Sequence, residues 1–158
     1  MSVQSATSSE SQTDLTRSCI LPGSIAGVIG GIVFGMLMTM QMPMIMEMAI
    51  PGMYGFGPSL AIGWILHLFH SAILGAVFGV LITLTNIGQL LDSNLKLGVA
   101  GLLYGIILWV ILASFVMPAW VGAMTEMSPT VPDWNIQSLM GHAVYGVILG
   151  IAYAVLAR

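Results

Sequence analysis

The stretch HLFHSAILGAVFGVL, residues 67–81, is the best indication of the fold. A similar stretch, HAVYGVILGIAYAVL, recurs at residues 142–156. Both copies are apolar and carry small residues four apart, a spacing that lets helices approach closely in a membrane. Further matches follow in the same order: Ala-Gly at 26–27 and 100–101, Met-Pro at 42–43 and 117–118, and Glu-Met at 47–48 and 126–127. Ordered agreement of this kind predicts two tandem copies of one unit.

The composition indicates a membrane protein, with 58% hydrophobic residues and only 6% charged ones. A soluble domain carries about a quarter charged residues, which it needs to cover its core. Four apolar runs, at 22–46, 58–85, 96–117 and 136–157, are long enough to cross the hydrocarbon as helices. We therefore predict an all-α membrane protein, a four-transmembrane-helix bundle made from two tandem parallel repeats of a helical hairpin. The repeats are 19–90 and 91–158, after a disordered tail over 1–18 that is rich in Ser, Thr and Gln.

The few charges predict the orientation. The basic residues all flank one side of the four runs, and they are Arg17, Lys96 and Arg158. The opposite side carries acidic residues, which are Glu47, Glu126 and Asp133. By the positive-inside rule both termini lie in the cytoplasm (N-in/C-in), and the protein is expected in the cell membrane, in contact with the lipid bilayer. No basic patch for nucleic acid is present in the sequence.

Helix ends are marked by local signals. Pro43 and Pro118 are expected to bend or end the first and third helices, because proline lacks the N–H that a helix interior uses. Ser93 or Asn94 is predicted to cap the third helix, and Asp133 to cap the fourth.

Glycines recur at intervals of four on the first helix and its equivalents. Small residues at this spacing predict close helix contacts, within the bundle or in a homo-oligomer or an assembly with other membrane subunits, and a pore lining is the alternative. The positions concerned are Gly23, Gly27, Gly31, Gly35, Gly101, Gly105, Ser71, Gly75, Gly79, Gly146 and Gly150.

Methionine alternates from Met36 to Met48, and Met53 follows. Thioethers suit Cu(I), and such runs resemble the methionine motifs of copper-uptake proteins. An extended segment after Pro43 would bring the sulfurs to one side, whereas a helix spreads them around its axis. Plain packing is the other interpretation. The candidate metal ligands are Met40, Met42, Met44, Met46, Glu47, His70 and Glu126.

His67 and His142 occupy equivalent positions within their helices. A polar side chain is costly at membrane depth, so these two residues are candidates for a functional role. They are candidate axial ligands for a b-type haem, with Gly63 and Gly141 expected to leave room for the macrocycle. A metal site with Glu47 and Glu126, a proton relay, and a structural hydrogen bond from each ring to the next helix are the alternatives.

The pattern H-x2-[HY]-[GS]-x3-G, at 67–75 and 142–150, resembles a feature of small uncharacterised prokaryotic membrane proteins, haloarchaeal ones among them. This resemblance implies no activity. The sequence contains no nucleophile constellation and no phosphate loop, so we expect no enzyme and no obligatory cofactor. The predicted function is a structural or accessory component of a membrane assembly, with a Cu(I)-handling transporter and a haem-binding electron carrier as rivals.

Overall fold

The computed structural model describes residues 16–85, 91 and 93–157, and within these ranges it is helical without any strand. Four helices are long and apolar enough to cross a membrane, which confirms the four predicted spans. We name them span 1 to span 4 in chain order: Ser18–Gln41, Leu60–Leu84, Asn94–Met124 and Ile136–Leu156. Most of the tail predicted over 1–18 lies outside the described residues, which begin with the π-helical segment Thr16–Ile20.

The described residues form both regular α-helix and π-helix. The α-helical segments are Leu21–Gln41, Ile50–Gly52, Leu60–Leu84, Asn94–Leu108, Met117–Met124 and Ile136–Leu156. The π-helical segments are Thr16–Ile20, Ile45–Ala49 and Trp109–Val116. Span 1 ends at Gln41, just before Pro43, as predicted. The following residues, 43–53, form a short helical piece that we call the connecting segment. The end of the bundle at which it lies is called the connecting-segment end.

Span 3 continues to Met124, so Pro118 does not end this helix near residue 117. A proline leaves the carbonyl four residues earlier without its helical partner. That carbonyl belongs to Ser114, and it accepts the backbone N–H of Asp133 at 2.9 Å from the following loop. The π-helical turn before Pro118 supplies the wider backbone spacing that lets the helix run on.

Pro51 has the same arrangement in the connecting segment. The carbonyl four residues earlier is that of Glu47, and it accepts the backbone N–H of Ser59 at 2.8 Å. Ser59 is the residue that caps span 2, where its side chain accepts the Ile62 N–H at 3.3 Å. Each of these prolines therefore frees a carbonyl that holds the loop leading to the next span.

The predicted caps are partly confirmed. The Ser93 side chain caps span 3 by accepting the Lys96 N–H at 3.3 Å. The Asp133 prediction is wrong, because the side chain of Asn135 caps span 4 through the Ser138 N–H at 3.0 Å. Asp133 is already held by its backbone on span 3, two residues before the cap.

Backbone meets backbone where spans 1 and 2 cross and where spans 3 and 4 cross. A Cβ placed on Gly27 would collide with the Ser71 carbonyl oxygen, and one placed on Gly101 would collide with the carbonyl oxygen of Gly146. Spans 1 and 4 also pack closely and join the two pairs. The described residues of spans 2 and 3 pack less closely, which leaves an internal space between them.

Tyrosine hydroxyls bridge the spans by donating to backbone carbonyls of span 2. Tyr104 of span 3 donates to the Leu74 carbonyl at 2.8 Å, and Tyr145 of span 4 donates to the Ser71 carbonyl at 2.9 Å. Tyr153 reaches the Gly79 carbonyl at 3.3 Å. In an apolar surround each hydroxyl needs such a partner, so these bonds help to set the arrangement of the helices.

Replacing Tyr145 by phenylalanine is expected to lower the free energy of unfolding by about 0.6 kcal/mol, the average for hydrogen bonds between membrane helices, and by no more than about 1.7 kcal/mol. The change removes the hydroxyl and leaves the ring in place. Unfolding with SDS in mixed micelles measures the difference. An unchanged free energy of unfolding would contradict the assigned role of the Tyr145 hydroxyl.

Candidate functional site

A cavity of about 270 Å³ lies between spans 2 and 3, toward the connecting-segment end. Its floor is formed by aromatic side chains of spans 1 and 4, chiefly Phe34 and Tyr145. Its walls are largely aliphatic, with Leu74 on one side and Leu108 and Leu112 on the other. An apolar cavity with a few convergent polar groups is the usual form of a site for a small molecule or an ion.

The three histidines line this cavity, so the structure brings together residues that are far apart in sequence. His67 is 6% exposed, and its Nε2 donates to the Gly31 carbonyl of span 1 at 2.9 Å. His142 donates from Nδ1 to the Ser138 carbonyl, one turn earlier in its own helix, at 2.8 Å. The structural hydrogen bond to a neighbouring helix, one of the alternatives for these rings, is thus present for His67.

His70 is held differently. Its Nε2 is hydrogen-bonded to the Tyr54 hydroxyl, which belongs to the loop after the connecting segment. The Tyr54 ring also contacts the His70 ring and the Trp120 ring, with centroid distances of 5.7 and 5.2 Å. This contact ties the loop between spans 1 and 2 to the last turns of span 3.

The space expected for a haem beside the two glycines is filled. A Cβ on Gly141 would collide with the Phe34 ring, and a Cβ on Gly63 would collide with the Met46 carbonyl oxygen. Phe34 also makes edge contacts with both His67 and His142, at centroid distances of 5.4 and 4.7 Å. The expectation that these glycines leave room for a macrocycle is therefore wrong.

The fold exposes some methionines of the run and buries others. Met40 is 80% exposed and Met44 is 58% exposed, whereas Met46 is completely buried in the connecting segment. Only Met42 of the four candidate methionines lines the cavity. The chain after Pro43 is helical, so the extended segment that would have aligned the sulfurs does not form.

The candidate carboxylates do not join the histidines. Glu47 and Glu126 are exposed and neither lines the cavity. The carboxylate-bearing residue that does line it is Asp133. A metal site built from His67, His142, Glu47 and Glu126 together is therefore not assembled.

Several cavity residues were not among the candidates chosen from sequence. They include Phe34 and Met38 of span 1, which are four residues apart on one helix face, and the candidate Met42 follows four residues after Met38, just beyond the end of the span. Met53 and Met117 complete the sulfur-bearing residues of the lining. The interval of four was visible in the sequence, and it would have separated Met38 and Met42 from Met36, Met40 and Met44.

The fold defines the chain as a multi-pass helical membrane protein. It matches no protein-family model, no curated protein and no solved structure.

Proposed function

We propose that this protein is a non-enzymatic component of a membrane assembly, with a structural or accessory role. The observation that carries this proposal is that inward polar groups donate hydrogen bonds to backbone carbonyls of neighbouring spans. These groups are the hydroxyls of Tyr104, Tyr145 and Tyr153 and Nε2 of His67. Groups used in this way fix the relative positions of helices. A bundle fixed in this way is suited to present a constant surface to other membrane components.

The orientation is part of the proposal. With four spans, the segments before span 1 and after span 4 and the start of span 3 share one end of the bundle, and these carry Arg17, Arg158 and Lys96. The acidic Glu47, Glu126 and Asp133 belong to the other end. The positive-inside rule then favours a cell-membrane protein with both termini in the cytoplasm.

An internal duplication is also proposed, with 19–90 and 91–158 as parallel copies related by a pseudo-twofold axis along the membrane normal. Equivalent glycines meet equivalent partners in support of this. Gly27 lies against the Ser71 carbonyl and the Gly75 Cα, as its counterpart Gly101 lies against the Gly146 carbonyl and the Gly150 nitrogen. The sequence correspondence of the copies thus extends to their helix contacts.

A lipid-facing groove between spans 1 and 2 offers a place for a helix of another subunit. Its floor is formed by small side chains, Ser24, Ala72 and Ala76, and exposed Phe69 and Val77 stand beside it. Ala72 and Ala76 lie one turn apart on the same face of span 2. A transmembrane helix can approach such a surface closely and gain van der Waals contact.

The protein purified in mild detergent is expected to have a mass above the 16.7 kDa of one chain, because a second copy or another membrane subunit stays bound. Ala76→Leu fills the groove, and an overpacking cost of about 1–3 kcal/mol should lower association by roughly tenfold or more. Mass measurement of the protein–detergent complex gives the result.

Ala61→Leu is the matched control, since Ala61 is an exposed alanine on the same helix outside the groove. It should leave the mass unchanged. A monodisperse single chain without any partner contradicts the accessory role, and equal effects of the two variants contradict the groove as its contact surface.

A further inference from the structure

Four thioethers and three imidazoles line one cavity, although the sequence distributes them over all four spans and the residues between spans 1 and 2. Met38 stands one helical turn from Phe34 toward the connecting-segment end, and Met42 stands one turn beyond Met38. Phe34 contacts the rings of His67 and His142, so the sulfurs of span 1 lead from that end of the bundle toward the histidines. The remaining thioethers of the lining belong to Met53 and Met117.

Hydrogen bonds determine which nitrogen of two imidazoles carries the proton. A carbonyl oxygen only accepts, so His67 Nε2 and His142 Nδ1 must be the protonated nitrogens. The Ser138 hydroxyl is 3.5 Å from His142 Nδ1, too far to compete with the carbonyl at 2.8 Å. In a neutral ring the other nitrogen then carries a free lone pair, and we assign these lone pairs to His67 Nδ1 and His142 Nε2.

These two nitrogens have no hydrogen-bond partner among the described residues. In that part of the chain no buried side-chain nitrogen or oxygen lacks a partner. The two nitrogens are therefore accessible, and the space that both residues line is the cavity. An imidazole fixed by one nitrogen on a backbone carbonyl, with the other nitrogen free, is the arrangement that orients a metal-binding histidine.

The donor set selects the class of ion. In the described part of the chain no group of three or more His, Cys, Asp or Glu is placed to hold a metal ion, which disfavours harder divalent cations. Thioether sulfur and imidazole nitrogen together suit a soft ion. Both ligand types are neutral, which suits an ion of low charge, and the acidic residue Asp133 also belongs to the lining.

From these observations we propose that the cavity binds one soft monovalent cation, of the Cu(I) or Ag(I) class, through a free imidazole nitrogen of His67 or His142 and the thioethers of Met38 and Met53. This goes beyond the accessory role and does not depend on it. The site differs from the Met40–Met46 cluster expected from the sequence, because it uses the inward methionines and leaves the exposed ones out.

The test uses the full chain in detergent, titrated with Ag(I), which needs no reductant. All samples carry Cys19→Ala, so that the thiol of the buried Cys19 does not compete for the ion. Binding of one Ag(I) per chain is expected, and X-ray absorption at the silver edge should show both sulfur and nitrogen neighbours. Absence of binding, or neighbours that are only oxygen and nitrogen, overturns the proposal.

Matched methionine pairs locate the ion. Met38→Leu with Met53→Leu should weaken Ag(I) binding by more than about tenfold, since the loss of even an orienting partner costs about 10–100-fold in metal affinity. Met40→Leu with Met44→Leu, the exposed pair of the same run, should bind as the parent does. A weakened exposed pair, or an unchanged inward pair, overturns the proposal.

Methionine and leucine are similar in volume, so these variants are expected to fold, and a thermal midpoint near that of the parent verifies it. If the inward pair does not fold, His142→Gln takes its place. His67→Gln is made beside it, and one of these two variants should retain Ag(I) bound to sulfur alone or lose the ion. Unchanged nitrogen coordination in both His142→Gln and His67→Gln overturns the proposal.

Discussion

Gly101→Ala is expected to lower the free energy of unfolding by about 1–3 kcal/mol, the usual cost of overpacking a filled contact. The added methyl group would collide with the Gly146 carbonyl oxygen and would also press on the Gly150 nitrogen. These are backbone atoms that no rotamer change can move. Spans 3 and 4 must therefore separate along their crossing, and the contacts on either side of it weaken with them.

Gly122→Ala, in the last turns of span 3, is the matched control. A Cβ there would meet the Pro129 ring at 3.7 Å, an ordinary contact distance. Because alanine is a better helix former than glycine, this variant should be unchanged or more stable by up to about 1 kcal/mol. SDS titration in mixed micelles compares the two, and equal losses would mean that span 3 tolerates no alanine anywhere, contrary to the contact geometry.

Met46→Ala is the second change with a large expected effect, a loss of about 2–5 kcal/mol in the free energy of unfolding. Met46 is completely buried between the connecting segment and span 2, where its backbone carbonyl lies against Gly63. Removing the side chain leaves a cavity that the closely approaching backbones cannot close.

The neighbouring methionine of the same run provides the control. Met44 is 58% exposed, so Met44→Ala should change the free energy of unfolding by no more than about 0.5 kcal/mol. The thermal midpoint and SDS titration give the comparison. A comparable loss in both variants would show that the run acts as one packing unit and would contradict its division into buried and exposed members.

The spans were predictable from the sequence because an apolar run of about 20 residues is enough to indicate a transmembrane helix. The bounds of spans 2 and 4 fall close to the apolar runs, and Ser93 caps span 3 as its position before a helical run indicates. The course of span 3 was not predictable. Whether Pro118 ends a helix depends on a partner for the Ser114 carbonyl, and that partner, Asp133, is supplied by the following loop.

The site was predictable only in part, for a similar reason. His67 and His142 stand out as polar residues in apolar helices, and both line the cavity. The thioethers that accompany them depend on which face of span 1 turns inward. Phe34 settles this by packing against span 4, and sequence alone gives no measure of that contact.

The carbonyls released by Pro51 and Pro118 have a consequence for biosynthesis. Each binds a residue at or just before the start of the next span, so the chain that precedes a span already contains the acceptor that aligns it. The alignment of spans 1 and 2 through Glu47 and Ser59 needs nothing from spans 3 and 4. The first hairpin can thus take up its register as it enters the bilayer without waiting for the second.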